Sequence, residues 1–439
     1  MPPVTRDDTT EDRSSHRGSD APKVPGLVLA FSAQRAMARA IPLGRRVVIG
    51  RGEGSTVVLD DGQASRRHTE VRLDGGRFSV RDLDSRNGTF VDGQRVIGER
   101  VFERPTVLRI GRSLLLFDPD VGRFARPHEL EGAGAVRGPA LHAALESIAR
   151  AASSVENIVV TGESGTGKRI AAETFHQRGP HAGGAFVVLN CATIRPELAE
   201  RILFGAKKGA YTGAHADALG SLQAADGGVL FLDEIGELAL DVQAKLLLAV
   251  ESRQVVQLGA SSGRAVDARI CAATHRDLRA DAASGKFRAD LYYRLAQDEV
   301  HLPSLRERLE EVPFLLQREL QRLALDAKPS AELVEACLLR PWPGNVRELF
   351  TAIARAARTA IAEGSAQITP MHLPTSAGMP LEANVEPATS IQEEPAPLRD
   401  RIVVALRSHR GNVSAAARAL GMHRSTLHRH LKELDIETE

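Results

Sequence analysis

The spacing of apolar residues changes along the chain and predicts three folded segments. Over residues 27–117, short apolar runs such as RVVIG, TEVRL and SLLLF are separated by Gly- and Asp-rich turns. Within the runs the alternation has a period of two, with Val71 and Leu73 on one face and Glu70 and Arg72 on the other. Such alternation, broken by frequent turns, predicts an all-β sandwich.

A different pattern covers residues 138–371, where apolar runs alternate with longer helical stretches. The runs NIVVTG, AFVVLN, GVLFLDE and ARICAAT have the composition of buried strands. Strands that alternate with helices are typical of a parallel α/β sheet. After residue 397 the apolar positions fall at helical spacing, from Ile402 to Leu434, which predicts an all-α segment.

Three polar or small-residue stretches separate and precede these segments. The N-terminal stretch is predicted to be disordered. The stretch 121–137 is rich in Gly, Ala and Arg, the stretch 372–396 is rich in Pro, Ala and Glu, and both are predicted linkers. The predicted organisation is a disordered tail (1–25), a β domain (26–120), a linker (121–137), an α/β domain (138–371), a flexible acidic linker (372–396) and a helical domain (397–439).

Composition narrows the function classes. The chain has 57 basic and 56 acidic residues and a net charge of +1, so any nucleic-acid site must be local. Its three cysteines, Cys191, Cys271 and Cys337, are far apart and odd in number, which excludes a disulfide framework and a cysteine-based zinc cluster. Without a long apolar stretch or a secretory signal in this sequence, the expected location is the cytoplasm.

A glycine-rich loop carries the first candidate chemistry. It follows the apolar run 158–161 and opens a predicted helix, the context in which backbone N–H groups and a lysine cradle phosphates. Arg169 stands where such loops usually have Ser or Thr. The alternative is a purely structural glycine-rich turn. The residues expected to bind nucleotide here are Gly162, Glu163, Ser164, Gly165, Thr166, Gly167, Lys168 and Arg169.

Two adjacent carboxylates end the run GVLFLDE about 65 residues downstream. Asp233 is expected to hold Mg²⁺, and Glu234 is expected to polarise the attacking water. The alternative is that the two acids belong to an ordinary turn at the end of a strand and have no catalytic role. Together with Lys168, the pair predicts an ATPase that uses ATP and Mg²⁺.

Residues 138–371 resemble the AAA+ domain of bacterial sigma-54-dependent transcription activators. The decisive string is GAYTGA, which resembles the loop that the family uses to touch sigma-54 and to move during hydrolysis; taken alone, it would be a plain surface turn. The residues that the resemblance assigns to sigma-54 contact are Gly209, Ala210, Tyr211, Thr212, Gly213 and Ala214.

Other motifs match the same family in order. Asn190 matches the switch asparagine that holds the catalytic glutamate, and Thr274 matches the first sensor near the γ-phosphate. Arg288 and Arg294 match arginines that act on the neighbouring subunit's nucleotide, and Arg347 matches the second sensor of the helical lid. A shared site implies a ring, and the resemblance implies a hexamer.

Several positions depart from the family pattern. Arg169 replaces an acidic residue, with little expected effect, and Tyr211 replaces phenylalanine but keeps the ring. His275 replaces the common sensor asparagine, which puts the communication of hydrolysis in question. Ala206 and Lys207 replace His-Glu just before the GAYTGA loop, which puts the posture of that loop in question more than ATP binding.

The β domain has the residues expected of a phosphopeptide-binding site. Arg51, Ser65, Arg66 and Asn87 fall in turns, and residues 26–118 resemble a forkhead-associated (FHA) domain. The resemblance implies a phosphothreonine peptide bound by Arg51, Ser65 and Arg66, with Asn87 on the peptide backbone and His68 buttressing the loop. The alternative is ordinary surface arginines and a hairpin turn.

The C-terminal segment reads as helix, glycine turn, helix and resembles the Fis-type helix-turn-helix. Its last helix places apolar residues on one face and polar residues on the other, which suits a DNA major groove; a charged solvated helix is the alternative. The residues expected to contact DNA are Arg424, Ser425, Thr426, His428, Arg429 and Lys432.

The combined prediction is a multidomain activator with an FHA sandwich, an AAA+ α/β ATPase with a helical lid, and an all-α helix-turn-helix. Its expected partners are sigma-54 RNA polymerase, upstream enhancer DNA, further copies from dimer to hexamer, and a phosphothreonine protein. The last could be its own N-terminal tail, which carries Thr5, Thr9 and Thr10. An ATPase-defective DNA-bound repressor or phosphopeptide scaffold stays open as the alternative, and an AAA+ chaperone or chelatase is disfavoured.

Overall fold

The structure of the 439-residue chain is a computed structural model. The residues that it describes are 23–44, 46–103, 105–124, 136–211, 215–325, 327–380, 402, 412–413, 416–417, 422 and 424–433. They form two units, one within residues 1–380 and one within residues 381–439.

The front of the first unit is a β sandwich of two sheets, which confirms the predicted fold of this segment. One sheet has the order β2-β1-β11-β10-β7-β8 and the other the order β4-β3-β5-β6-β9. The strands are β1 (Gly26–Ser32), β2 (Arg35–Pro42), β3 (Val47–Gly50), β4 (Val57–Val58), β5 (Thr69–Asp74), β6 (Arg77–Asp82), β7 (Thr89–Val91), β8 (Gln94–Arg95), β9 (Glu99–Phe102), β10 (Val107–Ile110) and β11 (Ser113–Asp118).

The second part is a five-stranded parallel sheet in the order β13-β16-β19-β12-β20, flanked by helices, as the alternation predicts. Its strands are β12 (Asn157–Thr161), β13 (Phe186–Asn190), β16 (Val229–Asp233), β19 (Arg269–Thr274) and β20 (Glu299–His301). Its helices are α1 (Pro139–Ser154), α2 (Lys168–Arg178), α3 (Pro196–Phe204), α4 (Ser221–Ala224), α5 (Leu240–Ser252), α6 (Leu278–Ala283) and α7 (Ala289–Leu295).

Small strand pairs complete this unit. They are the antiparallel pairs β14 (Gly205–Ala206) with β15 (Ala218–Leu219) and β17 (Gln254–Val255) with β18 (Arg264–Ala265), and the parallel pair β21 (Lys328–Pro329) with β22 (Gln367–Ile368). Because the five central strands are parallel, their carboxyl ends meet at one edge, the usual place of a ligand site in such sheets.

A helical lid follows the parallel sheet. It consists of α8 (Val312–Arg322), α9 (Ala331–Leu338) and α10 (Asn345–Ala362), packed around the fully buried Trp342. The described residues 372–380, which fall in the predicted linker 372–396, pack on this lid: the Gly378 N–H donates to Glu348 at 2.7 Å, and Trp342 N–H donates to the Gly378 carbonyl at 3.0 Å.

The β sandwich is docked on the lid. All seven residues of β1 are buried, because Leu27 and Leu29 face the inside of the sandwich while Val28 and Ala30 belong to a cluster shared with the lid. A strand with one face in water would show polar residues at alternate positions. The outer face of this sheet is therefore apolar and is buried against the lid.

The C-terminal unit has a small apolar core of Ile402, Ala416, Ala417, Leu427 and Leu431. Its helix α11 (Arg424–Glu433) contributes the two leucines. Among the described residues, no helix combines the length and apolar composition needed to cross a bilayer.

Candidate functional site

The glycine-rich loop lies between β12 and α2, at the carboxyl edge of the parallel sheet. Gly162, Gly165 and Gly167 all have positive φ angles, of +149°, +80° and +109°. At Gly165 a Cβ atom would also clash with the carbonyl oxygen of Gly344 in the lid, so only glycine fits there. The loop conformation thus has the backbone that phosphate binding requires.

Lys168 begins α2 and is 7% exposed. Its ammonium donates to the carbonyl of Gly162 at 3.0 Å and lies 3.4 Å from Glu234 Oε1. Arg169, by contrast, is exposed and pairs with Glu173 at 3.0 Å on the surface of the helix. Lys168 is therefore directed at the sheet edge, whereas Arg169 points along the outside of α2.

Residues of the lid contact the same loop. Arg347 Nη1 donates to Ser164 Oγ at 3.0 Å, and the buried Asn345 donates from Nδ2 to the Ser164 carbonyl at 3.0 Å. Arg306 pairs with Glu163 through two hydrogen bonds of 2.9 and 2.5 Å. That pairing, with Asn345, lowers the pKa of Glu163, although burial opposes it. The lid is thus tied to the phosphate loop at several points.

A further tie runs behind the loop. Arg308 is 1% exposed, donates from Nη2 to the carbonyl of Thr166 at 2.7 Å and pairs with Glu311 at 3.2 Å. Glu311 in turn accepts the N–H of Gly138, at the start of the ATPase core, at 2.6 Å. Sequence reasoning missed Arg306, Arg308 and Asn345, because their roles depend on contacts more than 140 residues away along the chain.

The acidic pair lies at the end of β16, next to the loop. Burial and the neighbouring Glu234 raise the pKa of Asp233, although Lys168 opposes them. For Glu234, burial acts to raise the pKa, but a hydrogen bond from His275 and the charge of Lys168 together lower it. Glu234 has a left-handed backbone conformation with φ of +55°, which is uncommon for a residue with a side chain.

These residues fit a magnesium–nucleotide complex. Asp233 is a half-buried carboxylate beside a second acid, and the charge of a cation would relieve their repulsion. Mg²⁺ is usually bound through one or two carboxylates plus substrate phosphates, so a larger cluster is unnecessary. Within the described residues, no group of three or more metal-ligating side chains occurs.

The two sensor candidates flank this pair on neighbouring strands. Thr274 is fully buried at the end of β19, and its Oγ1 accepts the N–H of Arg276 at 3.0 Å. Asn190 ends β13 in register with Asp233, and its Oδ1 accepts the N–H of Ala192 at 3.0 Å. The Glu234 side chain is instead bonded to His275, at 2.7 Å between Oε2 and Nδ1.

Arg288 and Arg294 lie at the two ends of α7. Arg288 pairs with Asp290 at 2.7 Å, and Arg294 lies 3.8 Å from Glu156. Both of these acidic partners lie outside the phosphate loop and the acidic pair. Within one chain, these arginines are therefore engaged away from Lys168 and Glu234.

The base of the GAYTGA loop is braced. Ala206, 1% exposed, pairs with Ala218 across the β14–β15 hairpin, and Lys207 pairs with Asp217 at 2.7 Å. The guanidinium carbon of Arg201 lies over the ring of the exposed Tyr211, 5.3 Å from the centroid of that ring. Gly209 has φ of +82°, and Ala210 N–H donates to the Lys207 carbonyl. Thr212, Gly213 and Ala214 lie outside the described residues.

The predicted phosphopeptide residues come together at one end of the β sandwich. The N–H of Arg51 donates to the Ser65 carbonyl at 3.0 Å, and Ser65 Oγ accepts the N–H of Arg86 at 3.1 Å. Asn87 donates from Nδ2 to the Gln63 carbonyl at 2.7 Å, and Arg66 is exposed beside them.

His68 supports this loop cluster from inside. It is fully buried, its Nδ1 accepts the N–H of Ser65 at 2.9 Å, and its Nε2 lies 3.1 Å from the carbonyl of Gly88. The ring is therefore the tautomer that carries its proton on Nε2. Burial lowers the pKa of His68, so the ring stays neutral while it joins the two loops.

Helix α11 carries the predicted DNA contacts. Ser425, Arg429 and Lys432 are exposed, Thr426 is half-buried, and Leu427 and Leu431 face the core of this unit. Arg424 and His428 belong to the same helix, but their side chains lie outside the described part of the chain. The described polar and apolar residues thus separate onto different faces.

Family models match most of the chain. They are the Sigma-54 interaction domain over residues 135–301, the AAA+ ATPase lid domain over 306–388, the FHA domain over 47–116 and the bacterial regulatory protein, Fis family, over 399–434. Their order along the chain is that of the segments described above.

Individual proteins are similar over about two thirds of the chain. The DNA-binding transcriptional regulator NtrC of Salmonella typhimurium is 39% identical over 68% of this chain and 69% of its own length. The hydrogenase transcriptional regulatory protein HoxA of Bradyrhizobium diazoefficiens is 38% identical over 67% of this chain, which spans 63% of that relative. A crystal structure of NtrX from Brucella abortus in complex with ATP has a TM-score of 0.50 at 29% identity, covering 71% of this chain and 70% of that one.

Proposed function

The chain belongs to the family of sigma-54-dependent transcriptional regulators and has their AAA+ ATPase domain, and from this premise we propose that it hydrolyses ATP as a ring oligomer to remodel sigma-54 RNA polymerase at promoters. The observation that carries the proposal is the convergence of Lys168, Glu234 and Arg347 on one glycine-rich loop. Lys168 comes from the start of a helix, Glu234 from the end of a strand and Arg347 from the lid. A nucleotide bound to the loop would therefore contact both the core and the lid.

In the proposed reaction, each group has a separate task. The backbone of the loop and Lys168 bind the β- and γ-phosphates, and Arg347, now on Ser164, moves to the nucleotide as the lid closes. Asp233 would hold Mg²⁺, whose charge would offset that of the phosphates. Glu234 orients the attacking water and accepts its proton.

Arg288 and Arg294 complete the site from the adjacent subunit. Because both pair with acids remote from their own chain's loop, their supply in trans is consistent with the geometry. An arginine that stabilises transition-state charge in this way accounts for roughly 10³–10⁵ in rate. The site would then be complete only in the ring.

The GAYTGA loop is proposed to contact sigma-54. Its base is held by the Ala206–Ala218 pairing and the Lys207–Asp217 ion pair, so the two residues that depart from the family pattern still anchor the loop. Tyr211 is 37% exposed, so part of its ring is accessible to a partner. The C-terminal domain would hold the assembly at an upstream DNA site, with exposed Arg429 and Lys432 on phosphates.

The FHA domain is proposed to bind a phosphothreonine protein and thereby to gate the ATPase. Arg51, Ser65, Arg66 and Asn87 share one edge of the sandwich, and the loop that contains Asn87 leads directly into β7. A phosphate group brings about −1.5 to −2 charges, which two arginines and a hydroxyl suit.

Packing between the sandwich and the lid supports this gating. Phe90 of β7 lies 4.0 Å below the guanidinium of Arg109, which donates to Glu335 of lid helix α9 at 2.7 Å. Burial raises the pKa of Glu335, and Arg109 opposes that rise. At the turn between β1 and β2, on the other side of the same sheet, Gln317 of α8 donates to the Gln34 carbonyl at 3.3 Å. A movement near Asn87 would thus reach helices α8 and α9, which belong to the same lid as Arg347 of α10.

Two measurements test the ATPase and the remodelling separately. Steady-state ATP turnover is expected to be lost in Glu234→Gln and retained in Glu363→Gln, which alters a surface acid paired with His372. Open-complex formation with sigma-54 holoenzyme is expected to be lost in Thr212→Ala while ATP turnover persists. The matched control is Thr359→Ala, which removes only a bond to the Arg355 carbonyl within α10.

Turnover without any engagement of sigma-54 in any nucleotide state would refute the remodelling. A parent protein that binds DNA but does not hydrolyse ATP would favour the ATPase-defective repressor instead. For the gating, Arg51→Ala is expected to abolish the response of ATP turnover to a phosphothreonine peptide. An unchanged response would refute the FHA role.

A further inference from the structure

The carboxylate of Glu234 is occupied on both of its oxygens. Oε1 lies 3.4 Å from the ammonium of Lys168. Oε2 accepts the Nδ1–H of His275 at 2.7 Å and lies 3.3 Å from the backbone nitrogen of the same residue. Since a carboxylate is an acceptor only, the hydrogen bond at Nδ1 assigns the proton of His275 to that nitrogen.

This arrangement does not suit catalysis. A glutamate that orients an attacking water must turn an oxygen to that water, within about 2.6–3.2 Å. With Oε2 on His275 and Oε1 on Lys168, the base and the phosphate-binding lysine are directed at each other. Oε2 already has two donors from His275, so these contacts must loosen before that oxygen can accept a hydrogen bond from the water.

The residue expected to hold this glutamate is engaged elsewhere. Asn190 lies in register with Asp233, and its Oδ1 accepts from Ala192 in the turn that follows β13. Among the described residues, no hydrogen bond joins Asn190 to Glu234. The imidazole of His275 makes the contact in its place.

The segment that carries His275 is firmly anchored. Its neighbour Arg276 donates to the Gly236 carbonyl at 3.0 Å and pairs with Asp281 at 2.9 Å, while Thr274 Oγ1 accepts the Arg276 N–H. His275 therefore follows a fully buried sensor residue in a turn fixed on both sides. Because the turn is fixed, the imidazole can leave Glu234 only if the turn itself shifts.

We propose that His275 is a positioning residue that restrains Glu234 before hydrolysis, the task that the family pattern assigns to Asn190. The inference rests on the role of Glu234 proposed above. The histidine that replaces the usual sensor asparagine at position 275 is then the residue that makes this restraint. Release would follow movement of the Thr274–Arg276 turn.

The test compares variants of the full chain in steady-state ATP hydrolysis. His275→Ala is expected to raise the basal kcat about threefold or more, because it removes a hydrogen bond to a charged acceptor that only the resting arrangement contains. The KM for ATP is expected to change less than about twofold, since His275 contacts the base and not the phosphate loop.

His275→Asn is the conservative variant. The Nδ2 of asparagine is as many bonds from the backbone as the Nδ1 of histidine, so this variant is expected to keep the low basal kcat. His181→Ala is the matched control, because it removes another His–carboxylate pair of the ATPase core, with Asp267 at 3.2 Å. Its kcat is expected to equal that of the parent.

The outcomes are distinct. An unchanged or lower kcat in His275→Ala overturns the inference, and so does a rise in Asn190→Ala without one in His275→Ala. Equal rises in His275→Ala and His275→Asn also overturn it. Failure of the proposed function would look different, because parent turnover would then be absent or would survive Glu234→Gln.

Discussion

Glu310 is expected to make the stability of the protein depend on pH near neutrality. It lies in the turn just before α8, at the junction between the β sandwich, the ATPase core and the lid, and is 2% exposed. Burial raises its pKa from the usual 4.5 to about 7; Arg123 opposes the rise and the neighbouring Glu311 adds to it. The carboxyl therefore keeps its proton in the folded protein where the unfolded chain loses it.

The magnitude follows from the two pKa values. The difference between 4.5 and about 7 is roughly 2.5 units, and each unit corresponds to about 1.36 kcal/mol, so the contribution approaches about 3 kcal/mol. For an acid with a raised pKa, this stabilisation is fully present below pH 4.5. It is lost as the pH rises from there through about 7.

Calorimetric unfolding of parent and Glu310→Gln at matched ionic strength isolates this group. The glutamine keeps the shape but carries no titratable proton, so the two proteins are expected to differ little in this respect near pH 4.5. Relative to the parent, the variant is then expected to gain stability with rising pH, by about 3 kcal/mol at pH 8, and to unfold several degrees higher.

Glu103→Gln serves as the control, because Glu103 is an exposed acid of the β sandwich that pairs with an arginine, Arg77, at 3.8 Å. Its difference from the parent is expected to stay constant over the same range. A difference between Glu310→Gln and parent that does not grow between pH 5 and 8 would refute the reasoning, as would a relative loss of stability at pH 8.

Three further outcomes are expected. Arg109→Leu should destabilise the first unit by about 3 kcal/mol, because it leaves Glu335 buried without its partner. The double variant with leucine at positions 109 and 335 should be nearly neutral. Thermal unfolding of the parent, both single variants and the double variant checks this. Gly165→Ala should weaken ATP binding at least about tenfold, measured by calorimetric titration, since the new methyl group meets the lid and the φ of +80° disfavours a side chain. Lys207→Ala should lower open-complex formation more than ATP turnover, because it frees the base of the GAYTGA loop from its ion pair; equal losses would contradict this.

Local motifs carried most of the prediction of the site. The glycines of the phosphate loop could be predicted from the sequence because the loop backbone needs positive φ angles, which Gly162, Gly165 and Gly167 have. Lys168 and the acidic pair are similarly fixed by their places at a helix start and a strand end. Their roles in catalysis stay predictions that the variants above address.

Contacts between distant segments were beyond sequence reasoning. The departure at position 275 is visible in the sequence, but its contact with Glu234 spans 41 residues and depends on how β16 and β19 are paired. Arg308 looks like an ordinary charged residue, yet it is buried against the carbonyl of Thr166. Because charged side chains are usually solvated, only the observed burial distinguishes a structural arginine such as Arg308 from an ordinary surface arginine.

Sequence alone determined the three kinds of folded segment and the residues of the phosphate loop, because periodicity, turns and glycine conformations act over a few neighbouring positions. Tertiary structure alone decided that the β sandwich lies on the lid. The unbroken apolar run of β1 requires both of its faces to be covered, but the hydrophobic effect is non-directional and does not specify by what. Only the fold brings Val28 and Ala30 to the lid and Arg109 to Glu335.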